Sequence, residues 1–533
     1  MPHNSLIINC FWPGIARFSG ALREIPLCDK NHTSSTVIFS AVRTLLICLT
    51  FLAVSTAKAD PISFDELVVD AGFHIEQPVL AASLVGDERH IVLGGRDDEF
   101  AQRIAVFSLR NIAEPLLDLR PGPDLIAYDT GRIDGRDYLF FIEPGRITRL
   151  DISSGQLVEF ARVRSIYGQQ RTGQITPIDF IRDVSGDELD DLVVPDIAGY
   201  RVRLQREDGT LGEEVVLEDS SAMTVSGQMV SFESRPLVSG NMTDDELPDL
   251  AVWRGNTLRV YEQKADHRFN GEPFVITLDL GLQSEAEMRA IETGRGAMDQ
   301  SGLTETRIWR VEDLNGDNQP DILTESLLNK GVFDKENDFR LHLGRLDDEQ
   351  ISYRNAYDAL LASSGLQYGL ITTDIDGDGR KDLLVRKVHL SFGRVIRALL
   401  SGNVALQLHF FRMTDEDTYA EEANYITKTK VQFSVSSGQV DIPAIKVADF
   451  DADGLQDLMM QTETNVLSFQ SGVRGDELFS EQAIEMSVAL PRNGDLATTD
   501  DINEDGRADL VIRYNAADGD GPSRTVRLLM STP

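Results

Sequence analysis

Hydrophobic and polar residues alternate over short stretches through most of this chain, and polar turns break the stretches every few residues. "GLITTDI" (369–375), "DLLVRKV" (382–388) and "LQLHFFRM" (406–413) are examples. A period of two predicts strands, because successive side chains of a strand point to opposite faces. The stretches also keep a fixed order. A first strand runs into an acidic loop, a second follows the loop, and a third and fourth come after it. Third and fourth strands read from "YRVRLQREDGTLGEEVVL" at Tyr200, "LRVYEQKADHRFNGEPFVITL" at Leu258 and "FRLHLGRLDDEQISY" at Phe339. "LQLHFFRMTDEDTYAEEANYITK" at Leu406 and "VLSFQSGVRGDELFSEQAIEMSV" at Val466 follow the same plan.

The acidic loop repeats with the strands. "DIDGDGRKDLLV" opens at Asp374, "DFDADGLQDLMM" at Asp449, "DINEDGRADLVI" at Asp501 and "DLNGDNQPDILT" at Asp313. Weaker copies are "DVSGDELDDLVV" at Asp183 and "NMTDDELPDLAV" at Asn241, and remnants are "DTGRIDGRDYLF" at Asp129 and "SLVGDERHIVLG" at Ser83. Successive copies lie 46 to 75 residues apart. That length suits four short antiparallel strands, the content of one propeller blade, better than a unit of a helical solenoid. The expected fold is therefore all-β: a single β-propeller of four-stranded blades over residues 60–533. Eight loop copies predict eight blades, with seven as the alternative if the two remnants share one irregular blade. The last unit has room for only three strands before Pro533. An open edge would result unless another segment supplied the fourth. "FDELVVDAG" (64–72) precedes the first unit without a blade of its own, and is expected to close the ring by joining the two ends of the chain.

Charge narrows the partners. The 533 residues carry 51 basic and 87 acidic side chains, a formal charge of −36. Nucleic acids and anionic membranes both need positive patches, so neither is an expected partner. The N-terminal region reads as an export signal. Arg43 precedes the apolar run "TLLICLTFLAV" (44–54), and Ala57-Lys58-Ala59 forms an A-x-A site that predicts cleavage before Asp60. The apolar run is too short for a permanent membrane span. Residues 1–59 are thus an N-terminal extension plus signal peptide, with a start near Val37 as an alternative, and the mature protein is periplasmic or extracellular. Cys10, Cys28 and Cys48 all lie upstream of the cut, which leaves the mature chain without a disulfide, a thiolate metal site or a cysteine nucleophile.

Export returns attention to the acidic loops. Like charges crowded into one short loop are unfavourable unless a cation sits among them. With Asp374 as position 1, carboxylates fall at positions 1, 3, 5 and 9, and Gly379 at position 6 permits the positive φ of a tight reversal. Several hard oxygens in a flexible hairpin suit calcium better than the stricter octahedron of magnesium. The absence of cysteine and histidine from the loop speaks against zinc and copper. The EF-hand shares the first six positions but needs a glutamate at position 12 and flanking helices. Here position 12 is Val385, Met460, Ile512 or Thr324, so that reading fails. The competing account is a hydrated Asx-type turn whose acids bond backbone amides and hold no ion.

These loops resemble the calcium loops of FG-GAP/VCBS repeats, the modules of the integrin-α β-propeller and of many bacterial exported proteins. The resemblance covers roughly residues 62–533, although the Phe-Gly and Gly-Ala-Pro phrases of the family are mostly missing. It implies calcium held in the hairpin between the first two strands of a blade, by side chains at positions 1, 3, 5 and 9 and the carbonyl at 7. Carried onto this chain, one set is Asp374, Asp376, Asp378, the carbonyl of Arg380, and Asp382. The second is Asp449, Asp451, Asp453, the carbonyl of Leu455, and Asp457. The third is Asp501, Asn503, Asp505, the carbonyl of Arg507, and Asp509. The fourth is Asp313, Asn315, Asp317, the carbonyl of Gln319, and Asp321, with Asn318 in place of the glycine. The Asp183 loop has Ser185 and Glu188 at positions 3 and 6, and the Asn241 loop has Thr243 and Glu246, losses that weaken a metal site.

No H-E-x-x-H, G-x-S-x-G, P-loop or dinucleotide phrase occurs, and the histidines downstream of the cut are scattered singly. His342 and His409 are read as occupying the same place in the third strand of their units. The sequence points to an exported, monomeric calcium-binding propeller that serves as a scaffold for a protein or glycan ligand, with the ions structural. Residues 283–303 and 389–404 are long inter-strand insertions and natural binding surfaces. The alternatives are a calcium-stabilised lyase or hydrolase acting on polysaccharide, and cell adhesion through Arg474-Gly475-Asp476.

Overall fold

The computed structural model describes residues 62–533 apart from 170–173, 227–228, 285–286, 288–303, 332–333, 363–365, 389–400, 435–438 and 476. The segment expected to be an export signal, most of the two long insertions and Asp476 therefore lie outside the described residues.

Blade 6 shows the plan. Leu366–Thr373, Asp382–Val388, Asn403–Phe411 and Tyr425–Ser434 pair in that order, each antiparallel to the one before. Blade 7 repeats it with Ile445–Ala448, Asp457–Glu463, Val466–Gln470 and Ile484–Ser487. Blade 3 uses Ile181–Arg182, Asp191–Asp196, Gly199–Arg203 and Val215–Leu217; blade 4 uses Leu237–Gly240, Asp249–Arg254, Thr257–Tyr261 and Phe274–Thr277. Blade 5 is built from Thr304–Glu312, Asp321–Gly331, Asp334–His342 and Ala359–Leu361. In blade 2 the four are Ala127–Ile133, Arg136–Glu143, Arg146–Asp151 and Gln156–Arg162. The first strand of blade 1 is broken into His74–Ile75 and Leu80–Val85, both paired with Glu88–Arg96, and Gln102–Ser108 and Leu117–Leu119 complete the sheet. First strands of neighbouring blades touch, 237–240 against 304–312 and 445–448 against 497–500, which places them around the axis.

Blade 8 decides the count. Ala497–Asp500, Asp509–Arg513 and Thr525–Thr532 come from the C-terminus, and Ser63–Asp70 completes the sheet antiparallel to Thr525–Thr532, from Ser63 opposite Thr532 to Asp70 opposite Thr525. The chain is an eight-bladed β-propeller. Both N-terminal remnants have a blade of their own, so the seven-bladed alternative falls.

The core lies between blades rather than within them. Eight apolar clusters of described residues fill the eight gaps, and the second strand of each blade feeds two of them. Leu383 and Val385 pack with Leu323 and Phe339 of blade 5, whereas Leu384 packs with Leu458 and Met460 of blade 7. Alternate side chains of the second strand are thus buried on opposite faces. This is why the acids of the loop run straight into an unbroken apolar triplet.

Three local expectations need correction. "QISY" at 350–353 is not the fourth strand of blade 5; it pairs with Gly344–Asp347 in an inserted hairpin, and Ala359–Leu361 takes the edge. Asp129 does not open a loop. It lies inside the first strand of blade 2, where its carboxylate accepts amide hydrogens from Phe180 and Ile181, and the turn falls at Asp134 and Gly135. His342 and His409 are not equivalent, since His342 sits opposite Ile322 at loop position 10 and His409 opposite Val385 at position 12.

Candidate metal centre

Each acidic loop joins the first two strands of a blade, as the pattern predicts. At position 6 the backbone turns left-handed in all six loops from blade 3 to blade 8, with φ of 91° at Gly379, 85° at Gly454, 86° at Gly506, 66° at Asn318, 74° at Glu188 and 62° at Glu246. Position 4 does so as well in five of them, including the non-glycine residues Ala452 (58°) and Glu504 (59°).

The carboxylate at position 1 organises the turn. Asp374 accepts the amides of Gly377 at 2.8 Å and Gly379 at 2.9 Å, and Asp313 accepts those of Gly316 at 2.7 Å and Asn318 at 2.9 Å. Position 5 accepts the amide of position 7, for instance Asp378 from Arg380 at 2.9 Å and Asp453 from Leu455 at 2.8 Å. These bonds are those of an Asx-type turn, and they preform the loop without an ion.

Position 9 does something else. Asp321, Asp382, Asp457 and Asp509 are fully buried, and each uses one oxygen for the amide at position 2 and the other for an amide at or just past the end of the third strand. For Asp382 these are Ile375 at 3.0 Å and Met413 at 2.8 Å; for Asp457 they are Phe450 and Gly472, both at 2.8 Å. Asp191 and Asp249 make the same two bonds in blades 3 and 4. Position 9 is therefore a clip between loop, second strand and third strand in every one of these blades, whatever else it binds. Burial pushes Asp321, Asp382, Asp457 and Asp509 up to about 7, against the pull of the two amides and with neighbouring loop acids adding to the rise.

The residues that could hold a cation follow. Oxygens of Asp374, Asp376 and Asp382 lie within 4.8 Å of one another, as do those of Asp449, Asp451 and Asp453. In both groups the position-3 carboxylate has an oxygen shut off from solvent with no hydrogen-bond partner, Oδ1 of Asp376 and Oδ2 of Asp451. Asp451 is only 5% exposed. Burial, then the neighbouring Asp453 and Asp449, push its carboxyl up to about 6. A carboxylate with an orphaned buried oxygen, grouped with two other carboxylates, fits a divalent cation with oxygen ligands and is unfavourable without one. The two loops differ in their fourth acid. Asp378 stands outside the first group and pairs with Arg380 at 2.5 Å, whereas Asp457 stands outside the second.

The Asp501 and Asp313 loops are built differently from the prediction in one respect. The amide nitrogen of Asn503 donates to Asp505 at 2.9 Å, and that of Asn315 donates to Asp317 at 3.1 Å. The side-chain oxygens accept the position-5 amides, of Asp505 at 3.1 Å and of Asp317 at 3.3 Å. The sequence reading also missed Arg412, whose guanidinium lies 2.9 Å from Asp376 Oδ2 and neutralises part of that site.

Away from the loops, Lys446 lies on the first strand of blade 7, near Arg386 and Asp495, which themselves stand 3.6 Å apart. Burial pushes its ammonium down to about 8, Arg386 adds to the shift and Asp495 opposes it. Below pH 8 the buried charge burdens the folded state alone. Between pH 8 and 10.5 the folded protein has released the proton that the unfolded chain keeps, so stability rises with pH through that window. Lys446→Met is expected to stabilise the protein by on the order of 2 kcal/mol at pH 7. Denaturant melts at pH 7 and 10 check this, since the advantage of the variant should shrink at the higher pH. Arg474 and Gly475 lie in the connection between the third and fourth strands of blade 7, where the Gly475 carbonyl accepts from Arg412 at 2.8 Å.

No family model matches the chain, and no curated protein matches it. Among solved structures, an Agrocybe aegerita lectin that recognises non-reducing terminal N-acetylglucosamine aligns at 12% identity and a TM-score of 0.38, over 79% of this chain and 94% of that one. The β-propeller domain of Vanderwaltozyma polyspora Nup133 aligns at 10% identity and 0.31, over 75% and 97%. Kuenenia stuttgartiensis hydrazine synthase aligns at 10% and 0.28, over 66% and 77%. These likenesses stop at architecture. A propeller fits a binding role, and no helix among the described residues is long and apolar enough to cross a membrane.

Proposed function

We propose that this chain is an exported propeller of the FG-GAP/VCBS kind, stabilised by calcium in its acidic loops, that acts as a binding scaffold for a protein or glycan ligand. One observation carries the metal reading: the solvent-excluded, unpartnered oxygens of Asp376 and Asp451 within triads of carboxylates. Bound calcium supplies positive charge to both triads, beyond the part that Arg412 neutralises at Asp376. The chain's own residues do the rest. Asp374 and Asp449 hold the loop closed through amides at positions 4 to 6, while Asp382 and Asp457 tie it to the second and third strands. The loops therefore serve the rigidity of the ring, and ligand recognition falls to connections between strands, where insertions change shape at little expense to the core.

Calorimetric titration of chelator-stripped protein with calcium tests this, run beside a glycan array on the loaded form. Calcium heats that saturate at several sites, with one site lost in each of Asp376→Asn and Asp451→Asn, are the expected result. A titration without heat, at several temperatures, would remove the metal from the proposal. Array binding would identify the ligand as a glycan, and array silence would leave a protein partner.

A further inference from the structure

The acidic loops do not stand apart from one another. Lys381, at position 8 of the blade 6 loop, donates its backbone N–H to the carbonyl of Leu314 in the blade 5 loop at 2.7 Å. Gln456, at position 8 in blade 7, donates to Ile375 of the blade 6 loop at 3.0 Å. Ala508, at position 8 in blade 8, donates to Asp449 of the blade 7 loop at 2.7 Å, and the Arg507 side chain adds a bond to the Asp451 carbonyl at 2.6 Å. The backbones are in contact besides. A Cβ on Gly316 would meet the Gly379 carbonyl at 2.8 Å, and one on Gly377 would meet that of Gly454 at 2.9 Å.

This position-8 pattern has ends, although Asn241, at position 1 of the blade 4 loop, donates its N–H to the Asn318 carbonyl of the blade 5 loop at 3.2 Å. Position 8 is Pro320 in blade 5 and Pro248 in blade 4, and proline has no N–H to give. At the other end blade 1 has no acidic loop, and the Arg89 guanidinium takes the Ile502 carbonyl at 2.8 Å and pairs with Glu504 at 3.1 Å. The four loops linked through position 8 are the four that carry the fuller acid sets.

We propose that the loops at Asp313, Asp374, Asp449 and Asp501 bind their cations as one coupled arc, in which occupancy of one loop raises the affinity of its neighbours. This rests on the calcium reading above. A loaded loop holds its position-1 and position-2 carbonyls still, and those carbonyls are the acceptors for the next loop. The donor on that next loop lies between its position-7 carbonyl and its position-9 carboxylate. Ordering one loop thus lowers the conformational entropy that remains to be lost at the next. Repulsion between neighbouring ions acts in the opposite sense, but it falls with salt, whereas backbone ordering does not.

The test is calcium titration of the stripped protein at 0.15 M salt, in the native chain and in Gln456→Pro. That variant keeps every ligand and deletes one inter-loop N–H, and the chain already accommodates proline at this position in Pro248 and Pro320. The native isotherm should be steeper than that of independent sites. Gln456→Pro should bind the same number of ions with a shallower isotherm and roughly fivefold weaker half-saturation. Ala508→Pro gives the same result one step along the arc and guards against a local misfold at 456. Native binding that follows independent sites, or an isotherm unchanged in both variants, overturns the coupling and leaves the calcium reading intact. Absence of any calcium binding overturns both.

Discussion

Protein stripped with a chelator is expected to melt about 10 °C below the same protein in excess calcium. A ligand that binds only the folded state at a hundredfold excess over its dissociation constant contributes about 2.7 kcal/mol per site, so four loops together reach roughly 11 kcal/mol. Unfolding entropy of about 2.1 cal/mol/K per residue, over about 470 residues of propeller, gives on the order of 1 kcal/mol/K near the midpoint. The sign follows from the site. Without an ion, Asp376 and Asp451 each bury an oxygen that nothing satisfies, and Asp321, Asp382, Asp457 and Asp509 sit where burial disfavours their charge. With an ion, the same groups become ligands or neighbours of ligands. The shift should be reversed by adding calcium back and should be smaller in the Asp376→Asn, Asp451→Asn double variant. Scanning calorimetry with calcium and with chelator decides it, and a midpoint indifferent to chelator would leave the loops as hydrogen-bonded turns.

The blades were legible because their signals are local. The spacing of acids in "DIDGDGRKDLLV" marks one hairpin, strand alternation marks its arms, and a count of strands in the last unit is enough to call for the segment at 64–72. What escaped depends on partners far apart in sequence. Asp382 looks like one more ligand, yet only the fold reveals that the amides of Ile375 and Met413 claim its two oxygens. Asp129 has the spacing of a first-position acid but spends its carboxylate on the next blade. "QISY" alternates as well as any fourth strand, and sequence period cannot tell an inserted hairpin from a blade edge. Positive φ at Ala452 and Glu504 has no signature in residue type, because neither side chain favours it. The position-8 bonds between loops are made by backbone groups and left a single trace, the prolines at 248 and 320.

Deleting the closing strand is expected to be the most damaging change. A chain that starts at Gly72 loses all eight paired positions between Ser63–Asp70 and Thr525–Thr532, together with the Glu66–Arg527 ion pair and the bond from the Ala71 amide to the Arg524 carbonyl. It also loses packing on two neighbours at once. Val69 is buried in the cluster shared with blade 1, Ile62 in the cluster shared with blade 7, and the Phe64 ring meets Phe450 and Phe469 at 5.8 and 5.0 Å. At about 1.5–3 kcal/mol for each fully buried apolar side chain, the loss is on the order of 5 kcal/mol or more, comparable to the whole stability of many domains. The exposed edge of Thr525–Thr532 would then recruit strands from other copies. Size-exclusion chromatography should show the truncated protein leaving the monomer peak, and its thermal transition should be early and broad. A synthetic peptide of residues 62–71 added in trans should return both toward the full-length values, which separates a missing strand from general misfolding. A truncated chain that stays monomeric with an unchanged midpoint would mean that seven complete blades and three strands hold the ring by themselves, and that closure through the chain ends contributes little to its stability.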